Sequence, residues 1–76
     1  MEKSVHIKLT MIEDATNFVN ILTKHNVDAD LKSGRYVVNA RSLMGIFALD
    51  WGKEVELAIY SSNYEALLKD LEKYIV

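Results

Sequence analysis

The stretch Val37-Val38-Asn39-Ala40-Arg41-Ser42-Leu43-Met44-Gly45-Ile46 changes character halfway along. Its first part continues a run from Arg35 to Ala40 that reads as a strand, with Val37 and Val38 too apolar to assign to one face. Its second part opens on Ser42, whose hydroxyl suits a helix N-cap, followed by the apolar run Leu43 to Leu49. Gly45 inside that run costs roughly 1 kcal/mol relative to alanine, so packing against other elements must hold the helix. A strand that feeds directly into a short packed helix is the core of an α/β arrangement.

Upstream, Ser33-Gly34 supplies a tight turn, and Val27, Ala29 and Leu31 alternate with Asp28, Asp30 and Lys32, a one-faced strand. Near the start, Val5, Ile7 and Leu9 alternate with His6, Lys8 and Thr10 in the same way. Thr10-Met11-Ile12-Glu13 fits a capping box, with Glu13 reaching back to the Thr10 amide. Ala15, Phe18, Val19 and Leu22 then line one helical face. Glu13 and Asp14 in the first turn, and Lys24 and His25 in the last, match the helix dipole, and Asn26 is a left-handed terminator. Downstream, Asp50-Trp51-Gly52 reads as a turn, and Val55, Leu57 and Ile59 alternate with Glu54 and Glu56. Ser62-Asn63-Tyr64-Glu65 is a second capping box, before a helix with the stripe Leu67, Leu68, Leu71, Tyr74 and Ile75. The order β-α-β-β-α-β-α with one-faced strands predicts an α+β fold, an antiparallel sheet with its helices on one face. The other face, carrying His6, Lys8, Asp28, Asp30, Lys32, Glu54 and Glu56, is expected to be solvated.

The 76 residues allow one domain, 1–76, with a thin core margin. No cysteine is present, which removes disulfides, zinc ribbons and thiol nucleophiles. No apolar run approaches the ~20 residues that span a bilayer, and the alternating start is no signal peptide. A net charge of −2 gives no electrostatic footprint for nucleic acid. The expectation is a cytoplasmic protein with neither a nucleic-acid nor a membrane partner.

Side-chain chemistry is sparse. The 2 histidines, His6 and His25, have no second ligand at metal spacing, so they read as a surface residue and a helix C-terminal support. Asp28/Asp30 and Glu54/Glu56 each share a strand face. They form either a weak cation site or a polar face paired with Lys8 and Lys32, and the polar face is the adopted reading. No Ser-His-Asp set is readable. No enzyme activity, metal or cofactor is expected.

The opening stretch resembles the strand-to-helix junction of HPr, the phosphocarrier of the bacterial phosphoenolpyruvate sugar phosphotransferase system. That family's pattern there is Val-Asn, a Lys or Arg, then Ser-Ile/Leu-Met-Gly. The element order agrees with the family across nearly the whole chain, which implies an open-faced β-sandwich, four strands with three helices on one face. The family's activity rests on a Gly-Ile-His-Ala-Arg-Pro-Ala run where the first strand meets the first helix. That histidine takes phosphate from enzyme I and hands it to transporter proteins. Counted without gaps, the histidine position falls on Met11, the arginine on Glu13 and the proline on Asp14. A thioether offers no basic nitrogen to carry the phosphoryl group, and two carboxylates at the helix N-terminus repel a dianion. The resemblance therefore implies an HPr-like protein without its carrier site.

Ser42 does match. In low-GC Gram-positive members the corresponding serine is the target of a regulatory kinase, and an anion is favoured at a helix N-terminus; otherwise Ser42 is simply a cap worth about 1 kcal/mol. Leu43, Met44, Ile46, Phe47 and Leu49 give the short helix more apolar residues than one face can bury. Leu43, Met44 and Phe47, with Trp51, are expected to form an exposed docking patch for protein partners, phosphotransferase or regulatory proteins by the resemblance. The alternatives are a phosphoacceptor using Ser42 or a displaced His6, or an unrelated small α/β interaction domain.

Overall fold

The computed structural model describes residues 3–49 and 52–76. The first strand, β1 (Lys3–Lys8), leads into helix α1 (Ile12–His25). Strands β2 (Ala29–Ser33) and β3 (Tyr36–Asn39) follow, then helix α2 (Leu43–Ala48), strand β4 (Glu54–Ile59), helix α3 (Glu65–Asp70) and a 3-10 turn, Glu72–Tyr74. The expected element order is the observed one. The strands form a 4-stranded sheet in the order β1-β4-β2-β3, and every neighbouring pair is antiparallel. Among the described residues, no helix is long and apolar enough to cross a membrane.

The register explains the alternation. Val5, Leu57, Leu31 and Val38 lie directly opposite one another in a single row across all the strands. Leu57 and Leu31 are buried, Val5 and Val38 partly so, against Phe18, Leu22, Ile46, Leu67 and Leu71 from the helices. Val38 thus takes the inward position that sequence left open, and Val37, opposite Lys32, faces solvent. On the open face Lys8 stands opposite Glu54, while Glu56 has His6 on one side and Lys32 on the other. Cross-strand pairs of opposite charge are the favoured use of such positions. The Asp30 carboxylate accepts a hydrogen bond from the Tyr60 hydroxyl at 3.0 Å.

Punctuation came out close to expectation, with shifts. Asn26 adopts the left-handed conformation (φ 51°, ψ 48°) and ends α1. Gly34 takes φ +59° at the hairpin, which places Arg35 in the turn rather than in β3. Neither capping box forms as read. The N-cap of α1 is Met11, and the reaching carboxylate is that of Asp14, not Glu13. The N-cap of α3 is Tyr64, with no side-chain cap; the Ser61 hydroxyl accepts from the Asn63 amide upstream of it.

The last helix is also shorter than its stripe. It stops at Asp70, and the tighter 3-10 turn keeps Tyr74 on the buried side. Ile75 then bridges to Ile7, and the Val76 amide donates to the His6 carbonyl at 3.0 Å, closing the outer edge of β1. His25 Nε2 donates to Asp70 Oδ2 at 2.7 Å, tying the end of α1 to the end of α3.

One core group is unsatisfied: the Tyr74 hydroxyl is buried with no hydrogen-bond partner among the described residues. Removing an unpaired buried donor relieves its desolvation penalty. Tyr74→Phe is therefore expected to raise stability by about 1 kcal/mol, read as a higher urea midpoint at unchanged slope.

Candidate functional site

Two places on the helix side of the molecule carry the residues singled out by sequence: the β1–α1 junction and the short helix α2. At the junction, Thr10 and Met11 lead into α1, and Asp14 sits in its first turn. Asp14 Oδ2 accepts from the Thr10 amide at 3.2 Å, the Thr10 hydroxyl at 3.1 Å and the Met11 amide at 3.2 Å. The carboxylate so satisfies the N-cap amide, one of the donors that a helix N-terminus leaves open, together with the residue before it. Desolvation works to raise the Asp14 pKa. The bonds from Thr10 and Met11, with the charge of Lys73, outweigh it and hold the group below its ordinary value. Met11 makes no capping bond with its side chain and is 58% exposed, with Ile12 64% exposed beside it. Glu13 is exposed in the first turn.

Neither histidine stands within this junction. His6 lies mid-strand on the open face, its Nδ1 at 4.0 Å from Glu54 Oε1. His25 ends α1 and is engaged by Asp70. The acidic pairs lie on the open face, where no group of three or more potential metal ligands forms among the described residues.

Helix α2 is hung on β3. The Ser42 hydroxyl accepts from the Gly45 amide at 3.1 Å, the cap expected from sequence. The Ser42 amide donates to the Asn39 carbonyl and the Ile46 amide to the Ser42 carbonyl, each at 3.0 Å. Gly45 sits close to its neighbours: a Cβ there would lie 3.2 Å from Val38 Cβ and 3.3 Å from Ser42 Oγ, so they would have to give way slightly to any side chain. This close approach drives Ile46 fully into the core. Leu43 is half-buried and packs against the core, Phe47 is 40% exposed and Met44 is 84% exposed. Trp51, the fourth member of the expected patch, lies outside the described residues. Met11 and Ile12, exposed at the start of the helix that packs beside α2, are apolar surface that sequence reasoning did not assign to docking. The signal for Ile12 was present: it falls outside the Ala15–Phe18–Leu22 face.

No family model matches the chain, and no curated protein matches it. Solved structures do. The phosphocarrier protein HPr from Bacillus anthracis superposes with a TM-score of 0.75 at 26% identity, covering 100% of this chain and 96% of that one. HPr-C-His from Thermoanaerobacter tengcongensis gives a TM-score of 0.74 at 27% identity, covering 96% of this chain and 88% of that one. The structural neighbours of this chain are HPr phosphocarriers, and its fold is theirs from end to end.

Two outcomes test this geometry. For Asp14, the folded state favours the charged form. Its contribution is complete above the ordinary aspartate pKa and disappears as pH falls through the lowered folded value. Asp14→Asn should therefore melt below the parent at neutral pH, with the two melting curves converging in acid. For Gly45, alanine offers about 1 kcal/mol of helix propensity, but its Cβ presses on Val38 and the cap. Gly45→Ala should show no stabilisation in urea denaturation.

Proposed function

We propose that this chain, with the fold of the HPr phosphocarriers, acts as a single HPr-like domain (residues 1–76) that binds protein partners without carrying phosphate on histidine. The observation that supports this most directly is the β1–α1 junction. Counted without gaps, the family's histidine position falls on Met11, and the amides of Thr10 and Met11 already bond Asp14. An incoming phosphoryl dianion finds no basic nitrogen there, and it meets carboxylates in place of the family's arginine. The chain then performs no group transfer of its own and needs neither metal nor cofactor.

What remains usable is the apolar surface of α2. Exposed methionine and aromatic side chains, with a buried residue anchoring the helix beneath them, are the chemistry of protein recognition. Met44 and Phe47 are the residues assigned to contact, with Leu43 supporting them from the core side; Trp51 is a further candidate. The partners are proteins of the phosphotransferase system or its regulation, and the reading places the domain in the cytoplasm. Ser42 serves first as the α2 cap. Regulation by a serine kinase would act at the same residue, by placing an anion at the first turn of the docking helix.

The test is direct. Incubated with enzyme I and labelled phosphoenolpyruvate, the protein is expected to remain unlabelled, and acid-labile label on His6 would overturn the proposal. Intact mass after incubation with ATP and the family's serine kinase reads Ser42, with Ser42→Ala as control. In capture from native lysate, Met44→Ala with Phe47→Ala should weaken partner retention at least about tenfold, with the thermal melt retained.

A further inference from the structure

The sheet has two outer edges, and they are treated differently. The outer side of β1 is closed by the Ile75 bridge and the Val76 amide. Among the described residues, the outer side of β3 pairs with no strand. Natural proteins blunt such edges with lysine, proline, bulges or inward charges. Strand β3, Tyr36-Val37-Val38-Asn39, is short, at 4 residues, but carries none of these within it, and Tyr36 and Val37 are 73% and 56% exposed.

Ladder alternation identifies which backbone groups face out. The Ala40 amide donates to the Ala29 carbonyl at 3.0 Å, and in an antiparallel ladder every second residue bonds the same neighbour. With Leu31 opposite Val38 and Ser33 opposite Tyr36, those residues bond β2, and the amide groups of Val37 and Asn39 point away from it. The Asn39 carbonyl is taken by the Ser42 amide. The Val37 N–H, the Val37 carbonyl and the Asn39 N–H are therefore presented along the open edge.

Charge selects the occupant. Arg35 stands at one end of this edge and Arg41 at the other. Among the described residues neither guanidinium meets a carboxylate; Arg41 Nη1 donates only to the Asn26 amide oxygen at 3.3 Å. Lys32 lies beside Val37 on the neighbouring strand. A second copy pairing antiparallel about Val37 would bring Arg35 of one copy toward the Arg41 end of the other, which is repulsive. An extended segment with carboxylates at its ends meets opposite charge at both ends.

We propose that the β3 edge takes up an extended, acidic-ended peptide segment of a partner protein as an added antiparallel strand. The residue opposite Val37 exchanges both of its backbone hydrogen bonds with it, the Asn39 amide receives a carbonyl, and the terminal carboxylates pair with Arg35 and Arg41. This surface lies on the sheet edge beside α2, whose cap residue Ser42 holds the Asn39 carbonyl, and it uses backbone groups that the α2 patch does not.

The probe is a capped peptide, Glu-Glu-Thr-Val-Thr-Glu, titrated into the full chain and followed by amide NMR, with Lys-Lys-Thr-Val-Thr-Lys as control. The acidic peptide should shift and protect the Val37 and Asn39 amides; the basic one should not. Arg35→Glu with Arg41→Glu should weaken binding about tenfold. Val37→Pro removes a donor that the folded sheet does not use. It should abolish binding while leaving the spectrum of the other strands in place. If that variant unfolds, the arginine reversals decide alone. Equal response to both peptides, shifts confined to α2, or dimers by sedimentation in the absence of peptide would each overturn the proposal.

Discussion

Everything in this molecule depends on β4 entering between β1 and β2. It is the last strand in the chain, yet it sits inside the sheet, and Leu57 fills the row between Val5 and Leu31. Until it arrives, β1 has no strand partner and β2 has only the β3 hairpin. Each fully buried aliphatic side chain in these rows contributes about 1.5–3 kcal/mol, but only once residues far apart in sequence have met. The fold is therefore carried by non-local pairing, the slow and cooperative kind. The helices supply the lid that makes the inward rows worth burying.

The exposure of Met44 and Phe47 follows from the same packing. Successive helical residues are about 100° apart. With Ile46 driven into the core and Gly45 pressed against Val38, Leu43 and Leu49 fall within about 60° of Ile46 and Phe47 at about 100°. Met44 is left nearly opposite the buried side chain. The observed gradient, from buried Leu49 through half-buried Leu43 and Phe47 at 40% to Met44 at 84%, is that of a helix pinned at one point. A glycine permits that contact, and a serine cap holds the turn that makes it.

Much of this was legible in the sequence because it is periodic. Val5/Ile7/Leu9 and Val55/Leu57/Ile59 announce inward faces by alternation alone, and Ser42 with Gly45 announces the junction. The misread caps have a physical reason. Thr10 precedes two acids in succession, so two frames of one motif compete, and backbone geometry chose Asp14 with Met11 as the cap. Ser62 and Glu65 fit the motif, but Tyr64 (φ −108°, ψ −4°) occupies the capping position. Val38 could not be assigned a face, because Val37 beside it is equally apolar and only register separates them. The His25–Asp70 bond joins residues 45 apart, with no local signature. Leu43 looked as available as Met44 until the helix had an anchor. The exposure of Met11 and Ile12 was missed because the junction was read for phosphate chemistry and not for surface.

On the proposed reading, the β1–α1 junction is where a fold of this kind loses a chemistry and keeps its shape. Residues that would react stand at the start of α1, where Met11 and Ile12 contribute exposed surface and little to the core. Substitution there is nearly free of packing cost, whereas any change at Ala15 or Phe18, both fully buried, is not. The amides at the junction still demand an acceptor, since helix N-termini leave donors unpaired. In a phosphate-handling site that acceptor arrives and departs with the cargo. Here Asp14, from within the chain, accepts from the Met11 N-cap amide and from the amide and hydroxyl of Thr10 before it. On the proposed reading, the binding surfaces set by α2 and the sheet then carry whatever specificity the protein has.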